Sequence, residues 1–188
     1  MTTSARLRIA PLLLAAAVSA TLALLAGCRG GADSRPSPPL KVDACQLFTD
    51  QDAQAIAGET LAAMSSTIDE AKGRNPLECI YNSGSLDQPR ILSLLIRPHR
   101  SSSAARDFLE SSRSALSSMS AGKVQDVRGL GDAALWVGGR IQQLHVATGN
   151  LQLIITVQSP DGTDQLDRAR QIATRVLERL KTAAPKSK

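Results

Sequence analysis

An apolar run near the start most constrains what this 188-residue chain can fold into. From Ile9 to Leu25 only Pro11, Ser19 and Thr21 interrupt the hydrophobic residues, and Ala26-Gly27-Cys28 follow. Arg6 and Arg8 precede the run, with no acid beside them. A basic lead, an apolar stretch and small residues before a cut form the pattern of a secretory signal peptide. A retained membrane-spanning helix is the other reading. Seventeen residues with an internal proline are short for a hydrocarbon core about 30 Å thick. With residues 1–27 set aside, the remainder suits one ordinary domain.

Leu25-Ala26-Gly27-Cys28 resembles the bacterial lipobox. The resemblance implies diacylglycerol transfer to the Cys28 thiol, cleavage before Cys28 and acylation of the new amino terminus. Several acyl chains on one residue anchor stably where a single chain binds reversibly. The expected partner is therefore a membrane, reached through a lipid at Cys28, with the domain facing the periplasm or exterior. In a cell with two membranes, Arg29 in place of an aspartate after the lipidated cysteine points to the outer one. A plain secreted protein is the alternative, and it would leave Cys28 as an unpaired thiol. "RGGADSRPSPPLK", residues 29–41, reads as a tether reaching up to roughly 40 Å. The folded domain is expected over 42–181, with a disordered basic tail over 182–188.

Cysteine parity follows from that assignment. Setting Cys28 aside leaves Cys45 and Cys79, and an exported chain most simply pairs two such cysteines. A metal pair is the rival reading, but there is no C-x-x-C spacing and the chain has 2 histidines. No metal and no cofactor are expected. Removing Arg6 and Arg8 from the 22 basic residues leaves 20 against 17 acids, a net charge of +3. Aromatics are confined to Phe48, Tyr81, Phe108 and Trp136. Stacking platforms for bases need more than this, so no nucleic-acid partner is expected.

Periodicity predicts an α+β fold, an antiparallel sheet with long helices packed on it. "LFTDQDAQAIAGE" reads as a short helix with Thr49 as N-cap and Gly58 as its stop. Residues 59–76 have weak periodicity. "LECIYN" (Leu77–Asn82) and "ILSLLIR" (Ile91–Arg97) read as strands joined by a loop over 84–89. A helix follows over Ala104–Met119. "KVQDVR" and "AALWV" read as strands flanking a glycine turn, and Gly138-Gly139 as a tight primed turn. "IQQLHVA" and "LQLIITVQ" form a hairpin around "TGN". A last helix over Asp164–Lys181 is capped by Thr163, with Arg168, Arg175 and Arg179 on its solvated face. Strand-hairpin-strand-helix thus occurs twice, suggesting two β-β-α units.

Few motifs carry chemistry. Gly129-Leu130-Gly131-Asp132-Ala133-Ala134 fits G-x-G-x-x-A, but strand residues follow where a dinucleotide fingerprint must open a helix. His145 and His99 lack a nucleophile elbow or a local partner. Asp126 and Asp132 flank a turn without forming an evident catalytic pair. "RPHRSSS" places Arg97, His99 and Arg100 before a helix amino terminus, where anions are attracted.

In order, "ACQLFTDQDAQAIAGE", "ECIYN", "GLGDAALW", "VATGNLQLIITV" and "RARQIATRVLERL" resemble a family of uncharacterised bacterial envelope lipoprotein domains, common in actinobacteria. The resemblance covers about 140 residues. It implies an α+β fold, a Cys45–Cys79 disulfide and a Gly-x-Gly-Asp-x-Ala turn at 129–134, with no catalytic residues to carry over.

The expectation is a non-catalytic, membrane-anchored module that binds a small ligand or another envelope protein. The alternative is an envelope hydrolase using His145 or His99. Speculative ligand-binding residues are Trp136, Arg97, His99 and Arg100. "ILSLLIR" is apolar on both rows and needs cover on both faces. The two long helices are expected to leave part of the sheet bare. The remaining apolar concavity is placed near the "GLGD" turn and the Gly138-Gly139 hairpin, beside Trp136.

Overall fold

The computed structural model describes residues 42–58, 62–64, 75–83, 90–120, 123–139, 142–158 and 161–183. The segments read as a signal peptide (1–27), a lipidated Cys28, a tether (29–41) and a loop (84–89), most of 59–76 and residues 184–188 lie outside the described residues.

The chain begins with two short helices, α1 (Ala44–Leu47) and α2 (Asp50–Ala57). Strands β1 (Ala62–Met64), β2 (Glu78–Ser83) and β3 (Arg90–Pro98) lead to the long helix α3 (Ser102–Met119). Then come β4 (Val124–Asp126), β5 (Ala133–Val137), β6 (Gln143–Thr148), β7 (Leu151–Gln158) and the helix α4 (Leu166–Ala183). The seven strands form one sheet in the order β1-β2-β3-β7-β6-β5-β4, with every neighbour antiparallel. The α+β class read from the sequence is the class found.

Period-two alternation sorts the side chains onto two faces. Leu92, Leu94 and Ile96 of β3 stand opposite Val157, Ile155 and Leu153 of β7, and all six are buried. Ile172, Ala173 and Val176 of α4 close over this row, together with Ala44, Phe48 and Ala53 from the first helices. On the other face Ala105 and Leu109 of α3 pack on Leu135 and Ala147. The two β-β-α units are present as β2-β3-α3 and β6-β7-α4, but their helices lie on opposite faces. Both central strands turn their large aliphatic residues toward α4, so α3 takes the far side.

Local signals explain the first helices. Thr49 and Asp52 form a reciprocal capping box at the start of α2, and Gly58 ends it at φ 75°. The one-turn helix α1, capped by Asp43, was not legible in the sequence. It positions Cys45 for a disulfide to Cys79 in β2, with S–S 2.08 Å and Cα–Cα 5.1 Å. Beside it Phe48 meets Tyr81 edge-on at 5.2 Å, and the Tyr81 hydroxyl donates to the Phe48 carbonyl at 2.8 Å.

Four expectations are corrected. The helix α4 starts at Leu166, because the Gln165 carbonyl accepts its first helical bond from Ala169 N. Thr163 instead offers its carbonyl to Gln142 Nε2 and Gln165 Nε2. The same helix runs on to Ala183, so Thr182 and Ala183 belong to the domain. Gly139 is at φ 92° but Gly138 is not left-handed, and the last pair of the hairpin is Val137–Gln143, so five positions rather than two separate the paired strands. The tight turn is Gly149-Asn150, closed by the Thr148–Leu151 pair.

The arginines of α4 are the fourth. Arg175 Nη1 lies 2.8 Å from Asp52 Oδ1, and Arg179 Nη1 contacts Asp52 Oδ2. Asp52 is 2% exposed, while both arginines keep part of their side chains in water. Burial alone would raise the Asp52 pKa. Hydrogen bonds from Arg179, Thr49 and Arg175 outweigh it and hold the carboxyl well below its usual 3.8.

Candidate functional site

The indole of Trp136 sits on the α4 face of β5 and is 1% exposed. Its Nε1 points toward Asp164 Oδ2 at 3.4 Å. Beside it a cleft of about 420 Å³ opens between β4 and the residues leading into α4. Small-molecule sites run from about 300 to 1,000 Å³. Lys123, Gln125, Gln142 and Asp164 line it with Gly138 and Trp136. One wall is fixed by Gln142, which donates to the Thr163 carbonyl and accepts from Gln165 N, each at 2.8 Å. A concavity therefore lies at the Gly138-Gly139 loop as expected, but polar side chains surround it. Trp136 offers its edge and belongs to the core.

Arg97, His99 and Arg100 lie at the end of β3 and just beyond it, and the structure does not bring them to Trp136. Arg97 stands opposite Gln152 in register, on the α3 face, whereas Trp136 shares a face with Leu144 under α4. Strand alternation thus puts Arg97 and Trp136 on opposite faces of the sheet. Arg97 places its guanidinium carbon 5.8 Å from the centre of the Phe108 ring, a cation–π contact. The His99 ring lies 5.2 Å from the same ring. His99 N donates to the Asn150 carbonyl at 2.7 Å, and its buried Nε2 has no protein partner among the described residues. Arg100 is exposed.

His145 points under α3. Its Nε2 lies 3.2 Å from Gln143 Oε1, and its Nδ1 lies 3.4 Å from Gln152 Nε2. Gln143 in turn donates to Thr156 Oγ1 at 3.1 Å. With two amides as partners, the neutral imidazole donates through one nitrogen and accepts through the other. Burial, then the Arg97 charge, lowers its pKa to about 4. Among the described residues neither histidine is hydrogen-bonded to a serine hydroxyl or a carboxylate, the geometry a hydrolase of this design requires.

The "GLGD" segment is a turn that latches onto the next hairpin. Gly131 is at φ 56°, and a Cβ there would run into the Ala147 carbonyl. Asp132 N donates to that carbonyl at 2.7 Å, and Asp132 Oδ2 accepts from Gly149 N at 2.8 Å. Ala133 then opens β5, so the glycines serve a turn and do not open a helix.

A second cleft, of about 300 Å³, lies between this turn and α3. Arg113 spans it, 2.8 Å from Glu110 and 2.7 Å from Asp126. Only the Glu110–Arg113 spacing signals that latch in the sequence. Gln142 and Asp164, both central to the first cleft, carry no local signal, because residues about twenty apart meet there through the fold. Among the described residues no three His, Cys, Asp or Glu side chains gather into a metal set. The bare part of the sheet is also not where the sequence suggested. On the α3 face that helix packs over β4 to β7, and Ile80, Ile91 and Leu95 of β2 and β3 are half-buried at the opposite end from Trp136.

Neither a scan against protein-family models nor a search of curated proteins finds a match for this chain.

Proposed function

We propose that the chain is a membrane-anchored lipoprotein of a bacterial cell envelope, and that its domain is a non-catalytic binding module held out from the membrane on a tether. The observation that carries this reading is the division of labour among three cysteines. Cys45 and Cys79 are joined inside the domain. That leaves Cys28, at the end of an apolar leader and before a proline-rich stretch, as the residue for the lipid. The binding role is supported by the cleft beside Trp136, where a lysine and three other polar side chains converge around apolar indole. The resemblance of "ACQLFTDQDAQAIAGE", "ECIYN" and "GLGDAALW" to envelope lipoprotein domains adds to it.

The test is metabolic labelling with a fatty acid followed by membrane fractionation. Native protein is expected to take up label and sediment with membranes. Cys28→Ser is expected to lose the label and either remain an uncleaved precursor or leave the membrane. A Cys28→Ser protein that is processed and retained like the native one would refute the anchor.

A further inference from the structure

We propose that the cleft beside Trp136 binds a free α-amino acid with a neutral side chain. This names the ligand class that the binding-module reading leaves open, and it rests on that reading.

The first support is a pair of opposite charges that share the cleft without meeting. Lys123, just before β4, and Asp164, shortly before α4, are both exposed and line the same space. Among the described residues neither forms an ion pair, with the other or with a third residue. Asp164 Oδ1 accepts from Leu166 N at 2.9 Å, while Oδ2 has the 3.4 Å contact with the indole Nε1. A carboxylate offers about four acceptor sites, so this one keeps capacity for a further donor. Among the described residues no other charged side chain lines the cleft, and its formal charge is balanced. A simple anion or a simple cation would satisfy one of the two groups and leave the other without a partner. A molecule with an ammonium and a carboxylate on one carbon can answer both. With no third charge in the lining, its side chain should be neutral.

The second support is the rest of the lining. Gln142 is fixed through both ends of its amide, to the Thr163 carbonyl and Gln165 N. Gln125 stands opposite Trp136 in register, so it shares that face, and its exposed amide is available to a ligand carboxylate. Gly138 is buried without being left-handed, so its backbone does not demand glycine. A Cβ there would lie 3.5 Å from Lys123 Cβ and 3.6 Å from Trp136 Nε1, in ordinary contact. A longer side chain would extend between the lysine and the indole, so glycine at this position keeps the space beside Trp136 open. At about 420 Å³ the cleft lies toward the small end of ligand sites. A sugar or a base would stack on the indole face, but Trp136 is 1% exposed and presents its edge.

Trp136 is the chain's only tryptophan, so its fluorescence reports on the cleft directly. Full-length protein in detergent micelles is titrated with L-alanine, L-serine, L-leucine and L-glutamine. At least one is expected to change the emission saturably below about 10 mM. Propionate and ethylamine, which carry one charged end each, are expected to bind at least about tenfold more weakly than that amino acid. Lys123→Gln and Asp164→Asn should each weaken binding about tenfold with an unchanged denaturation midpoint. Asparagine retains an oxygen for Leu166 N, so the second variant leaves that bond in place. Silence toward all four amino acids at about 10 mM would overturn the proposal, as would binding that ignores both variants. Propionate or ethylamine binding as tightly as the best amino acid would also overturn it, while keeping the cleft as a binding site. None of these outcomes touches the labelling of Cys28, so the ligand class, the cleft and the anchor fail separately.

Discussion

The two faces of the sheet share one strand alternation and are finished in different ways. Under α4 the rows of β3, β7 and β6 are aliphatic until Thr148 at the end of β6, and the disulfide and the Phe48–Tyr81 pair close their margin. Under α3 the apolar cluster is small, and beside it Gln143, His145, Gln152 and Thr156 form a polar row. Gln152 is 1% exposed, and its Oε1 has no protein partner among the described residues. Aliphatic packing is non-directional and gains with every atom buried, whereas a buried amide row is favourable only when each donor finds an acceptor. The α4 face is thus the stabilising one, and the α3 face buries one titratable side chain, His145, among neutral polar groups.

Matched leucine truncations test that contrast most strongly. Leu153 is 0% exposed on the α4 face and Leu109 is 2% exposed on the α3 face. Leu153→Ala is expected to cost about 4 kcal/mol and Leu109→Ala about 2 kcal/mol by chemical denaturation, because the larger cluster leaves a cavity that cannot collapse. Equal losses would break the comparison.

Asp52 gives the next largest effect. It caps α2 and pairs with two arginines of α4, so Asp52→Ala removes a cap and a buried anion together. The partly solvated arginines soften the loss to about 2–3 kcal/mol. Its folded pKa lies below the usual 3.8, so its contribution is present above about pH 4 and disappears as pH falls further. Denaturation of native and Asp52→Ala proteins should converge in acid.

The smallest effect sharpens the other face. His145 has its pKa lowered from 6.5 to about 4 by burial, with Arg97 adding to the effect. The unfolded chain takes up this proton first as pH falls, so stability declines from about pH 6.5 downward. The loss from this group should reach about 2 kcal/mol near pH 5. His145→Gln is expected to flatten that slope between about pH 7 and pH 5, measured as the denaturation midpoint against pH. An unchanged slope would place the titration elsewhere.

Much of the fold was legible locally. Thr49, Asp52 and Gly58 mark α2 from both ends, and apolar spacing marks α3, though the helix starts at Ser102 and not at Ala104 as read. The rows of "LQLIITVQ" announce which side faces the core, and cysteine parity anticipates the bond from Cys45 to Cys79. Local reading failed where the partner is distant in sequence. Arg175 and Arg179 have the spacing of a solvated face, and only the docking of α2 on α4 delivers Asp52 to them. Gln142 reads as an ordinary residue of the strand "IQQLHVA" until the start of α4 folds over it.

The candidate site divides along the same line. The sequence named both Trp136 and Arg97 as ligand-binding residues, and alternation along each strand is local to that strand. Which face of the common sheet each row joined was decided by the order β3-β7-β6-β5, in which residues about forty apart become part of one surface. Period-two patterning is local and needs no knowledge of neighbours, so the sequence alone determines strands, caps and the cysteine pair. Strand order and the choice of face for α3 and α4 depend on how all the apolar rows are covered at once. Only the tertiary structure decides them, and with them the two clefts on either side of β4.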